Sequence, residues 1–177
     1  MKFCIYGAGA IGLLVGARLA ATGRHQVSAV ARGATLAALN AHGLRVDGFA
    51  GPLAGPVRAS AEPSALGVQD VVVIAVKAPA LAEVARRVAP LLGPHTLVVP
   101  AMNGVPWWFC QGLQGPAAGL ALESVDPDGS IAAHLPVEQV IGCVVHAAAS
   151  VGAPGVAYNQ MGRGLVLGEP RGGASGR

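Results

Sequence analysis

Short β-prone apolar runs alternate with Ala- and Leu-rich stretches from the start of the chain. Lys2 to Tyr6 is such a run and stops at Gly7. Ala10 to Thr22 is rich in Ala and Leu and meets Gly23, a natural C-terminal stop for a helix. Gln26 to Val30 predicts a second strand, and Ala34 to Ala41 a second helix ending at His42-Gly43. Strand, helix, strand, helix is the opening of a parallel α/β sheet. Leu44 to Arg58 is broken by Gly and Pro and predicts short hairpin strands. Asp70 to Val76 (DVVVIAV) is a continuous β-branched run, as expected of a strand with helices on both faces. Ala80 to Leu92 predicts the next helix, stopped at Gly93-Pro94, and Thr96 to Val99 the next strand. Further strands are expected over Gly119 to Val125, Val140 to Ala149 and Leu165 to Leu167, with a turn at Asp126 to Gly129. The pattern predicts a doubly wound α/β fold with a mostly parallel sheet over residues 1–168. Residues 169–177 read as a mobile Gly-rich tail or the start of a linker.

Composition narrows the class. The chain has 177 residues, of which 53% are hydrophobic and 12% charged, which suits one domain with a real core and argues against disorder. Hydropathy is positive on average. The long uncharged run between Arg87 and Glu123 nevertheless holds Pro90, Pro94, Pro100, Pro106 and Pro116, so it cannot be a spanning helix. A net charge of +3 with scattered arginines does not describe a nucleic-acid surface. Cys4, Cys110 and Cys143 are too scattered for a disulfide framework or a zinc site, and Cys4 and Cys143 fall inside expected strands as inert core. Met1-Lys2 leads into no signal-like segment. The expectation is a soluble, cytoplasmic protein.

Gly7-Ala8-Gly9-Ala10-Ile11-Gly12 is G-x-G-x-x-G between a strand and a helix. In that setting Gly7 permits a tight turn, Gly9 lets a pyrophosphate approach the backbone, and Gly12 lets the helix pack on the strand. The helix N-terminus then holds the anion. The pattern predicts a Rossmann-type dinucleotide site, against the bland reading of a Gly-rich turn in a Gly-rich chain. An NAD site usually has an acid at the end of the second strand. Here Val30-Ala31-Arg32-Gly33 places Arg32 there. A guanidinium can pair with a 2′-phosphate, so NADPH is expected over NADH, unless Arg32 is only a solvated surface charge.

Two polar residues follow later strands, at the sheet edge where ligands bind in such folds. Lys77 could hold a phosphate or a substrate carboxylate, or could snorkel. Asn103 could offer its amide to a nicotinamide or a hydroxyl, or could serve an Asn-Gly turn.

Together these residues resemble the ketopantoate reductase (2-dehydropantoate 2-reductase) family in its N-terminal dinucleotide-binding domain. The resemblance rests on Gly7 to Gly12, Arg32, Val76-Lys77-Ala78, Asn103-Gly104, Gly43-Leu44-Arg45-Val46, His146-Ala147-Ala148 and Gly164 to Glu169. It implies that Gly7 to Gly12 hold the pyrophosphate, that Arg32 holds the 2′-phosphate, and that Lys77 and the Ala148 backbone line the NADPH site. It implies that Asn103 contacts nicotinamide and substrate, a small 2-oxo acid. The implied reaction is reduction of 2-dehydropantoate to pantoate on the route to coenzyme A. Two departures stand out. Pro106-Trp107-Trp108-Phe109 and the stretch to Val140 look like a subgroup insertion. The family's helical second domain, which carries its catalytic lysine and a substrate-binding glutamate, has no counterpart before Arg177, so no catalytic residue is expected in this chain. An NADPH-binding module without reductase activity and a reductase of a different 2-oxo acid remain alternatives, and a homodimer is conceivable for the longer enzyme.

The five histidines show no metal-ligand spacing, and His146 is expected to be a partly buried strand residue. Trp107 and Trp108 have two readings: a wall at the nicotinamide or a domain interface, which is preferred, or a local core plug.

Overall fold

The computed structural model describes residues 1–174 and 176. Ser175 and Arg177 of the expected tail lie outside the described residues. A five-stranded parallel sheet forms the centre. It comprises β1 (Lys2–Tyr6), β2 (Gln26–Val30), β5 (Arg58–Ser60), β6 (Val71–Ile74) and β7 (Leu97–Pro100), in the order β5-β2-β1-β6-β7. The chain winds outward from β1 through β2 and then crosses to β6 on the other side. The winding direction therefore reverses between β1 and β6, and this is the place where such sheets bind ligands.

The expected β-branched strand is β6, and all of Val71, Val72, Val73 and Ile74 are buried. Their alternation feeds two cores. Val71 and Val73 pack with Leu13, Leu14 and Ala17 of α1 (Ala10–Ala21). Val72 and Ile74 pack with Leu81 and Val84 of α3 (Leu81–Arg87) and with Ile131 of α4 (Ser130–His134). Helices thus cover both faces, as the pattern predicts. A fourth helix, α2 (Gly33–His42), follows β2.

Beyond α1 lies a second sheet in the order β4-β3-β9-β8, made of β3 (Leu44–Gly48), β4 (Leu53–Gly55), β8 (Gly142–Ala153) and β9 (Val156–Gly168). The helix α1 is held between two sheets because its small residues allow it. A Cβ on Gly16 would lie 3.0 Å from Ile5 Cγ1 of β1 and 3.2 Å from Leu44 Cδ1 of β3. Gly12, Gly16 and Ala20 recur every fourth residue and so share one face of the helix.

Several expectations are corrected. Gly119 to Val125 is not a strand: Gly119 has φ +71°, and the N–H groups of Val125 and Asp126 both donate to the Leu122 carbonyl at 2.9 Å. The helix expected over residues 80–92 is α-helical only in α3. Pro79 and Pro90 sit at the starts of flanking 3-10 turns, where a missing N–H costs nothing. The two late strands are longer than expected and form one bulged antiparallel hairpin. Near its end, Arg171 pairs with Glu138 at 2.9 Å, which ties this part of the tail to the body. Trp107 and Trp108 combine features of both readings: they pack in the core, edge to face with ring centroids 4.3 Å apart, and they also form part of a cavity wall. His146, expected partly buried, is exposed.

Candidate functional site

The glycine turn leaves β1 at the switch point. Gly7 takes φ +100°, and a Cβ there would press on Val76 Cγ1 at 2.6 Å. A Cβ on Gly12 would collide with the Gly7 carbonyl oxygen, so α1 can start this close to β1 only with glycine. A Cβ on Gly9 would meet nothing within 4 Å. Gly9 is the N-cap of α1, in an extended conformation, with neither a side-chain cap nor an acidic residue in the first turn. The first-turn N–H groups of Ala10, Ile11 and Gly12 therefore face an open, uncompensated positive helix end. This cradle fits a pyrophosphate.

A cavity of about 180 Å³ lies beside the turn, lined by Gly7, Ala8, Arg32, Thr35, Glu83 and Arg87 among others. Arg32 caps α2 directly after β2, and its Nη1 lies 3.3 Å from Glu83 Oε1. Tyr6 lines the same cavity; burial pushes its phenol above the ordinary value, and the nearby charges of Arg87, Glu83 and Arg32 act in opposing directions. Thr35, Glu83 and Arg87 were not among the sequence candidates. The available signal was position, because Glu83 lies in the first turn and Arg87 in the last turn of the helix after β6, across the switch point from Arg32.

A second cavity, of about 670 Å³, is lined mainly by apolar groups. Asn103, Trp107 and Trp108 come from the segment after β7, and Cys143, Val144 and Leu167 from the hairpin β8–β9. Burial raises the Cys143 thiol, which favours its neutral form. Exposed Lys77 sits between the cavities: Val76 and Ala80 line the small one, Ala78 and Pro79 the large one.

Not every candidate converges. Gly7, Ala8 and Arg32 share the small cavity, Asn103 lines the large one, and Ala10, Ile11 and Gly12 form the first turn of α1. Ala148 pairs with Met161 in the β8–β9 hairpin and lines neither cavity. Asn103 is engaged with β8: its Nδ2 donates to the Val145 carbonyl at 3.1 Å, and its Oδ1 accepts the Val145 N–H at 2.9 Å. Among the described residues no group of three or more His, Cys, Asp or Glu could hold a metal ion, and no helix is long and apolar enough to cross a membrane.

The profile of the family described as ketopantoate reductase PanE/ApbA matches residues 3–107. The chain belongs to that family. The family match spans β1 to the segment after β7 and so includes the glycine turn, Arg32, Lys77 and Asn103. A 2-dehydropantoate 2-reductase from Mesorhizobium japonicum is 48% identical over all 177 residues, which cover 54% of that protein. A crystal structure from Ralstonia solanacearum MolK2 that carries the ketopantoate reductase name superposes with a TM-score of 0.92 at 52% identity, over 98% of this chain and 54% of that one. The 2-dehydropantoate 2-reductase from Porphyromonas gingivalis W83 gives a TM-score of 0.75 at 26% identity, over 96% of this chain and 55% of that one. The chain thus spans about half the length of these ketopantoate reductase relatives.

Proposed function

We propose that the chain is the NADPH-binding half of a reductase that converts 2-dehydropantoate to pantoate, acting in the cytoplasm together with a helical C-terminal region that would fill the length by which its relatives exceed it. The observation that carries this reading is the glycine turn at the N-terminus of α1, whose Gly7 and Ala8 share one cavity with Arg32 at the switch point. Gly7 to Gly12 would hold the pyrophosphate, Arg32 the 2′-phosphate, and Lys77 the face between the cavities. Bound NADPH would supply the hydride that reduces the keto carbon.

The large cavity suits the nicotinamide and a small 2-oxo acid. Its apolar walls would exclude water, and Asn103 lies at its edge with one N–H and one lone pair left over from its bonds to Val145. None of its lining residues is Lys, Arg or His. Its protic groups include the Glu169 carboxyl and the Cys143 thiol, so a cationic acid for the developing alkoxide, which must lie within hydrogen-bond reach, would come from elsewhere. That favours binding without turnover by this chain alone.

Titration of the chain with NADPH, and turnover of 2-dehydropantoate by the chain and by a version extended to the length of its relatives, test the reading. NADPH binding by both, with turnover only by the longer protein, is expected. Absence of NADPH binding would refute it. Turnover of another 2-oxo acid but not 2-dehydropantoate would reassign the substrate.

A further inference from the structure

Four charged side chains are linked in series at the rim of the small cavity. Arg32 Nη1 lies 3.3 Å from Glu83 Oε1, and the same oxygen lies 3.8 Å from Arg87 Nη1. Arg87 Nη2 in turn reaches Glu62 Oε2 at 3.1 Å. Arg32, Glu83 and Arg87 line one cavity with Gly7, whereas Glu62 is not among its lining residues. One carboxylate oxygen therefore stands between two guanidinium groups, where a doubly charged anion would bind well.

We propose that Glu83 is a resident anion displaced by the ribose phosphate of NADPH. Arg87 is then the second guanidinium of a two-arginine clamp, and Glu83 sets how strongly NADPH is preferred over NADH. This inference rests on the dinucleotide reading above.

The two arginines contribute differently. Arg32 is the more exposed arm, with 71% of its side chain exposed, whereas that of Arg87 is 35% exposed and also held by Glu62. Arg87 is thus the less screened partner for a phosphate. Glu83 opposes the phosphate by like charge and competes with it for both arginines. Toward NADH it does the reverse, since a carboxylate accepts hydrogen bonds from ribose hydroxyls. The side chain of Glu83 is 53% exposed, so its effect is moderate.

The test is the dissociation constants of NADPH and NADH, read from nicotinamide fluorescence, for the wild type, Glu83→Gln and Arg87→Ala at low and high salt. Glu83→Gln should tighten NADPH by about two- to fivefold and leave NADH equal or weaker, the size expected for a half-exposed charge. Arg87→Ala should weaken NADPH by roughly tenfold and NADH little, with Arg87→Lys recovering part of the loss. High salt should shrink both effects. If the wild type binds NADPH but Glu83→Gln leaves the NADPH-to-NADH ratio unchanged, or Arg87→Ala weakens both equally, the inference is overturned and the dinucleotide reading stands. A wild type that binds neither overturns both.

Discussion

Asn103 and Val145 hold each other through two reciprocal hydrogen bonds, a side-chain amide imitating a strand partner for one residue of β8. The contact ties the exit of β7 in the parallel sheet to the second sheet, and so fixes one wall of the large cavity. Asn103→Ala leaves the Val145 N–H and carbonyl without those partners and should cost about 1–3 kcal/mol in a denaturant melt. Hydrogen exchange at the Val145 amide should accelerate. Asn103→Asp sets a carboxylate oxygen against the Val145 carbonyl and should also destabilise at neutral pH. An unchanged melt for both variants would confine Asn103 to ligand contact.

The two glycines at the helix start separate folding from binding. Gly12→Ala drives a methyl into the Gly7 carbonyl and to 3.0 Å from Ile5 Cγ2, and should cost about 1–3 kcal/mol or more. Gly9→Ala meets no neighbour within 4 Å, at φ −82° and ψ −167°, which alanine adopts freely. Its stability should stay within about 1 kcal/mol of wild type. NADPH binding should nevertheless weaken at least about tenfold, because the added methyl occupies the space a pyrophosphate would need. Melting curves beside NADPH titrations check the pair, and a Gly9→Ala protein that binds normally would count against the cradle.

Cys4 makes stability fall at alkaline pH. Burial pushes its thiol from the ordinary 9.0 up to about 11, with hydrogen bonds from Ser28 and Val30 opposing weakly. The folded value lies above the unfolded one, so the stabilisation is complete below pH 9 and is lost as pH rises toward 11. The loss should reach roughly 2–3 kcal/mol. The raised values of Tyr6 and Cys143 add in the same direction. Urea melts from pH 8 upward should show this slope, and Cys4→Ala should flatten it while lowering stability throughout. Cys4 should also resist alkylation until the protein unfolds.

Asp126 organises the segment that the pattern read as strand and turn. Its Oδ1 accepts the Ile131 N–H and its Oδ2 the Ala132 N–H, each at 2.9 Å, from a buried position. Those bonds hold α4 so that Ile131 reaches the core below Trp107 and Trp108. Asp126→Ala should cost about 1–2 kcal/mol, and Asp126→Asn less because one acceptor survives. Asp128 is a contrasting control. It is exposed, and its carboxyl is held below the ordinary value mainly by Ser130, then by Arg86. Asp128→Ala should leave the melt almost unchanged, and equal losses at both positions would refute the distinction.

The residues that obey local rules were legible without a structure. Val71 to Ile74 announce a strand covered on both sides, because each of two cores takes every second residue. Gly7, Gly9 and Gly12 announce the turn, because only glycine tolerates the left-handed backbone, the open approach and the helix contact in that order. Gly119 to Val125 misled, because apolar residues there serve turns that deliver Asp126, and a short apolar run has no period of its own.

By itself, therefore, the sequence determined the parallel α/β core, the glycine turn after β1 and Arg32 just beyond β2. Only the tertiary structure decided that α1 lies between two sheets and that Trp107 and Trp108 are core. Only it brought Asn103 to Val145 and Glu83 between Arg32 and Arg87. The physical reason is distance along the chain. Turns and strands are set by neighbours a few residues apart, whereas the Asn103–Val145 and Arg32–Glu83 contacts join segments about 40 to 50 residues apart and exist only once the sheet is assembled.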